Sequence, residues 1–128
     1  MDSSRIAAFP DFATIPDEQL DELAGALREV EVDAGANVIT VDDYGTAIYF
    51  IEEGQAEVID GGGDPSAVGP GDVVGEIGLL LTGERTATVV ARTPMRLLAL
   101  SGQDFEQIRA RVPEVEQSLR RLGLERSA

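Results

Sequence analysis

From residue 28 to residue 100 the apolar side chains recur at a period of two in short runs, and turns rich in Gly, Pro, Asp or Asn end the runs. Glu29-Val30-Glu31-Val32-Asp33 alternates as a half-buried strand does, and Ala34-Gly35-Ala36-Asn37 turns it. Val38-Ile39-Thr40-Val41, Ala47-Ile48-Tyr49-Phe50-Ile51 and Ala56-Glu57-Val58-Ile59 read as further strands, the last two joined through Glu52-Glu53-Gly54-Gln55. The next turns, Asp60-Gly61-Gly62-Gly63-Asp64 and Gly69-Pro70-Gly71-Asp72, place glycine where only glycine is comfortable at positive φ. Val73-Val74, residues 86–91 and residues 95–100 complete a run of about eight short strands. Short strands at this spacing point to a sandwich or a barrel-like roll.

Helical patterns flank the strands. Pro16 and the acids Asp17 and Glu18 open a segment in which Leu20, Leu23, Ala24 and Leu27 keep helical spacing, so a helix is predicted over about 17–27. After the strands, Ser101 can cap a helix whose inward face is Phe105, Ile108 and Val112. Pro113 begins a second helix carrying Val115, Leu119, Leu122 and Leu124, which makes a helical tail of about 101–124. Leu119, Leu122 and Leu124 suit either a seam to a partner helix or second copy, or plain packing against the strands. With 128 residues and no linker, the chain reads as a single stand-alone domain over residues 1–128, of α+β class.

Charge and composition narrow the chemistry. Asp and Glu number 24 against 10 basic residues, for a formal charge of −14, which argues against nucleic acid and against an anionic membrane surface. There is no Cys and no His, so a disulfide framework, a thiol nucleophile, an imidazole base and the metal sites built on those ligands are excluded. The same absence rejects a metal-dependent enzyme of cupin type. Every basic residue is Arg. No signal peptide is recognisable and no apolar run is long enough to span a bilayer, so a soluble cytoplasmic protein is the expectation.

One stretch interrupts the strands: Gly71-Asp72-Val73-Val74-Gly75-Glu76-Ile77-Gly78-Leu79-Leu80-Leu81-Thr82-Gly83-Glu84-Arg85-Thr86-Ala87-Thr88-Val89. Gly75 lets the backbone approach a ligand closely, and residues 76–81 have room for one helical turn whose free N–H groups favour an anion. Arg85 offers a permanently charged planar fork for a phosphate, Thr86 a hydroxyl, and Glu76 an acceptor for hydroxyl donors such as a ribose. Taken singly, each residue has an ordinary explanation: a surface ion pair, a first-turn acid, turn glycines. Together they fit a sugar phosphate.

Gly75-Glu76-Ile77-Gly78-Leu79 followed by Arg85-Thr86-Ala87-Thr88-Val89 resembles the phosphate-binding cassette of cyclic nucleotide-binding domains, the modules of kinase regulatory subunits, catabolite activator proteins and gated channels. The helix at 17–27, the hairpin at 32–41, Tyr49-Phe50-Ile51-Glu52-Glu53-Gly54 and Gly69-Pro70-Gly71-Asp72 are also similar to the family, so the resemblance covers nearly the whole chain. It implies an eight-stranded antiparallel β-roll over about 28–100 (a double-stranded β-helix, or cupin-like jelly roll) with one N-terminal and two C-terminal helices. It further implies a cassette at 75–87. In that cassette Glu76 accepts from the ribose 2′-hydroxyl and Arg85 pairs with the phosphate oxygens. Gly75, Ile77 and Gly78 lie against the sugar phosphate, and Thr86 and Ala87 add phosphate contacts. Val58, Val73, Val74, Leu79 and Val89 are implied to line the roll or a base pocket. Two departures stand out: Val74 where the family carries Phe, and Tyr44 in the turn before the third strand.

The expected function is that of a non-catalytic sensor, with no resident cofactor, that binds cAMP in preference to cGMP and repositions its terminal helices. The Arg-only, Ala- and Gly-rich composition suggests a bacterial source and is what favours cAMP. The expected partners are the nucleotide and either a protein effector or a second copy through the C-terminal helices. The competing reading is a nucleotide-blind interaction module that keeps the roll.

Overall fold

A computed structural model describes residues 2–39, 47–59, 65–75 and 88–127. Among these, eight strands form two four-stranded antiparallel sheets, ordered β1-β8-β3-β6 and β2-β7-β4-β5. The strands are β1 (Arg28–Val32), β2 (Asn37–Ile39), β3 (Ala47–Glu53), β4 (Ala56–Ile59), β5 (Ser66–Val68), β6 (Val73–Val74), β7 (Thr88–Ala91) and β8 (Met95–Ser101). The helices are α1 (Ser4–Ala7), α2 (Asp17–Ala26), α3 (Gly102–Ile108) and α4 (Pro113–Ser127), with 3-10 turns at Pro10–Phe12 and Arg109–Arg111. The predicted turns at 42–45 and 60–64, and the cassette residues 76–87, lie outside the described residues.

Period-two alternation divides the core in two. On β3, Ile48 and Phe50 face the helices with Leu98 and Leu100, whereas Ile51 faces inward with Val74, Val89, Ala91 and Leu97. The outer cluster is filled by Ile6, Phe9, Phe12, Leu20, Leu23, Phe105, Ile108, Val112, Val115 and Leu119, so the sheet β1-β8-β3-β6 sits between the helices and the second sheet. Ser101 does cap α3, its Oγ accepting from the Asp104 N–H at 3.1 Å. Leu119 is fully buried in this cluster, so it belongs to the core rather than to an open seam. The side chains of Leu122 and Leu124 lie outside those described.

Two features depart from the sequence expectation. The N-terminal stretch is not a mere entry: α1 and the following 3-10 turn insert Ile6, Phe9 and Phe12 into the core, where Phe9 and Phe12 meet Phe50 edge-on at centroid distances of 5.5 and 5.3 Å. The second is β5, a three-residue strand that pairs with β4 and that the periodicity did not reveal.

Ion pairs fasten this N-terminal layer to the sheet. Arg5 donates from Nε to Glu52 Oε2 at 2.9 Å and from Nη2 to Oε1, and Arg96 Nε reaches the same Oε1 at 3.1 Å. Hydrogen bonding from Arg5 holds the Glu52 carboxyl below the usual glutamate range, with Arg96 adding to it and burial opposing it. A carboxyl depressed in the folded state stabilises the fold above the unfolded pKa of about 4.3, and the gain is lost as pH falls through the folded value. Glu52→Gln should therefore cost about 1–3 kcal/mol at pH 7. In urea unfolding the gap between variant and wild type should close as the pH is lowered past about 4; a gap unchanged by acid would show that Glu52 stabilises by shape alone.

Candidate functional site

The described residues frame the segment predicted to bind the ligand, residues 76–87, from both sides. Upstream, the turn at 69–72 is stitched to β3: Gly71 N–H donates to the Ile51 carbonyl at 3.0 Å, and Ile51 N–H donates to the Asp72 carbonyl at 2.9 Å. The Asp72 side chain closes the turn on itself, its Oδ2 accepting from Gly69 N–H at 2.8 Å. Gly71 sits at φ +95°, a conformation that side-chain-bearing residues rarely adopt. This arrangement fixes β6 against β3 in one register, Tyr49 opposite Val74 and Phe50 opposite Val73.

Gly75 then leaves β6 at φ +96°, again a glycine conformation, and starts the segment predicted to hold the phosphate. Downstream the chain re-enters as β7, in the other sheet, between β2 and β4. The segment from Gly75 to Thr88 therefore crosses from one sheet to the other. Its two inward-facing flanks, Val74 and Val89, are both anchored in the interior cluster, at 3% exposure each. Glu76, Ile77, Gly78, Leu79, Arg85, Thr86 and Ala87 lie outside the described residues.

The residues implied to line the base pocket divide between two faces. Val58, Val74 and Val89 belong to the interior of the roll, Val58 only partly buried. Val73 does not: it is packed with Phe50 and Leu98 in the cluster beneath the helices. Adjacent residues of a strand point to opposite faces, so an inward Val74 requires an outward Val73.

Electrostatics in the described part leave little for an anion. Arg5, Arg92, Arg96, Arg109, Arg111 and Arg120 each pair with a carboxylate. Arg109 donates to Glu116 twice at 2.8 Å and to Glu106 at 2.9 Å, and stands 5.4 Å from the centroid of the Phe105 ring. A cleft of about 900 Å³ lies between α2 and α3, where Glu18, Asp21, Glu22 and Asp104 outnumber the single cation Arg28 and disfavour a phosphate. No cluster of three or more metal-ligating side chains is found among the described residues.

Comparison with known proteins decides the family. The model for the cyclic nucleotide-binding domain matches residues 29–112, a span that runs from β1 to the residue before α4 and takes in residues 75–87. The chain belongs to the cyclic nucleotide-binding domain family. A cyclic nucleotide-gated potassium channel of Mesorhizobium japonicum is 35% identical over 94% of the chain and 34% of the channel. The catabolite activator protein of Thermus thermophilus superposes with a TM-score of 0.78 at 30% identity, over 91% of this chain and 57% of that one. The regulatory subunit of a cAMP-independent protein kinase A from Trypanosoma brucei does so with a TM-score of 0.80 at 27% identity, over 92% and 43%. The chain spans about a third of the length of the first curated relatives it matches. The α+β β-roll is thus the architecture of the family. No described helix is long and apolar enough to cross a membrane.

Residue reading alone missed the Arg5–Glu52–Arg96 cluster and the inward placement of Tyr49. The first joins residues 47 and 44 positions apart. A partner at that separation leaves no local signal. The second was available in principle, because Tyr49 alternates with Ile48 and Phe50.

Proposed function

We propose that this domain is a non-catalytic sensor of cyclic nucleotide, binding cAMP in preference to cGMP through residues 75–87. The observation that carries the reading is Gly75, turned to φ +96° where β6 ends, at the head of a segment that falls inside the family match. In this reading Glu76 accepts from the ribose 2′-hydroxyl, Arg85 and Thr86 hold the cyclic phosphate, Ile77, Gly78 and Ala87 contribute close backbone contacts, and the base enters the roll near Val58, Val74, Leu79 and Val89. No resident cofactor takes part. Ligand binding shifts the segment, and α3 and α4 pass the change to an effector, either a separate protein or a second copy. The shift is limited by the ligand's differential affinity for the two states.

Calorimetric titration with cAMP and cGMP side by side tests the reading. Binding to the native state alone at about 100 times Kd adds about 2.7 kcal/mol of stability. The thermal midpoint should then rise on the order of 10 °C. No heat and no shift with either nucleotide would favour a nucleotide-blind interaction module. What favours that second reading is that a neighbour with this fold is the regulatory subunit of a cAMP-independent protein kinase A from Trypanosoma brucei.

A further inference from the structure

The interior of the roll keeps an open side. Val30, Val32, Val38, Tyr49 and Val58 pack against the inner cluster yet remain partly exposed, whereas Ile51, Ala56, Val74, Val89, Ala91 and Leu97 are buried there. The packed side chains are aliphatic or thioether, and Tyr49 brings a phenol among them. Cross-strand pairing sets Tyr49 between Val74 on β6 and Ala99 on β8, both smaller than the ring. Val74 is bonded directly to Gly75, so the phenol stands one strand away from the start of the ligand-binding segment. No hydrogen bond joins its hydroxyl to another described residue, and the partly buried side chain leaves the hydroxyl open to a ligand donor.

We propose that Tyr49 is a specificity-determining contact, its hydroxyl oxygen accepting a hydrogen bond from the exocyclic amino group of an adenine seated in the roll. This rests on the cyclic nucleotide reading above. The neutral phenol in aliphatic surroundings suits a base, a flat and largely apolar group with a polar edge, and not the phosphate, which calls for the charge of Arg85. A site built to pair with one polar group discriminates against the analogue that lacks it.

The test is calorimetry on the wild-type chain and on Tyr49→Phe, each with cAMP and with the cyclic monophosphate of purine riboside, which has no amino group at position 6. Wild type should prefer cAMP by about three- to tenfold, the worth of one net hydrogen bond, and Tyr49→Phe should bind the two alike. An independent readout comes from emission: the chain has no Trp and two Tyr, so Tyr44→Phe leaves Tyr49 as the sole fluorophore. Saturating cAMP should then change its intensity. An undiminished affinity and preference in Tyr49→Phe, or emission that does not respond to cAMP, overturns the assignment of Tyr49 while leaving the sensor reading in place. A wild-type chain that binds neither cAMP nor cGMP overturns the sensor reading itself, and the role of Tyr49 with it.

Discussion

Arg85→Ala should weaken cyclic nucleotide binding by about 2–5 kcal/mol, a loss of roughly 25-fold or more in affinity by calorimetry. The size of the effect follows from the scarcity of available cations. The formal charge is −14, and six of the ten basic residues are committed to carboxylates in the described structure. Arg85 is the only basic residue in the sequence between Arg28 and Arg92, and it falls inside the segment that Gly75 opens. Removing it leaves a bound phosphate facing amides and a hydroxyl without a countercharge. The matched control is Arg92→Ala, which removes a half-exposed guanidinium already paired with Glu57 at 2.8 Å. That variant should bind as wild type does, because an exposed pair contributes little and the bulk charge is screened beyond about 8 Å at physiological salt. Equal losses in the two variants would mean that net charge sets the affinity and would remove Arg85 from the site.

The second large effect concerns stability. Phe50→Ala should cost about 3–5 kcal/mol, read as a lowered midpoint in urea with little change in slope. Phe50 is fully buried at the centre of the outer cluster, where Phe9 and Phe12 meet its ring from the N-terminal layer and Leu98 and Val73 accompany it on the sheet. Truncating it leaves a cavity between two layers that rigid backbones cannot close, and domains of this size have only about 5–15 kcal/mol to lose. Phe9→Ala and Phe12→Ala should each be costly for the same reason. A loss below about 1 kcal/mol in all three variants would contradict the docking of residues 4–12 on the sheet.

The strands were legible because short patterned runs between turns are a strong signal: Glu29 to Val32 alternates, and Ala47 to Ile51 is a continuous apolar run rich in β-branched and aromatic residues. What escaped was short. Four residues of α1 and three of the following turn are too few to establish a helical period, although Ile6, Phe9 and Phe12 recur at threes and all are buried. Ser66-Ala67-Val68 has one β-branched residue and no aromatic, too little for a strand signal, and its status as a strand comes from pairing with β4. Val73-Val74 carried an apolar signal without a phase. Which of the two faces inward is set by the register with Tyr49 and Phe50, a non-local fact, so reading both as pocket wall could not succeed. The reading of residues 75–87 as a binding segment rests on residue types at fixed spacing rather than on periodicity, and the structure describes only Gly75 and the flanks of that segment.

The polar links of α4 and of the 3-10 turn before it reach back across most of the described chain. The Glu114 N–H is capped by Gln19 at 2.9 Å, Ser118 Oγ donates to the Asp11 carbonyl at 3.2 Å, and Arg111 meets Glu22 at 3.2 Å, spanning 95, 107 and 89 residues of sequence. The layer that covers Ile48, Phe50, Leu98 and Leu100 is therefore assembled from two parts of the chain separated by the whole roll. Until residue 119 has left the ribosome, the outer face of the sheet lacks Val115 and Leu119 and stays open to self-association. Production of this domain should accordingly be governed by how quickly its last helix closes over a roll already made, and conditions that slow translation near residues 101–119 should raise the insoluble fraction.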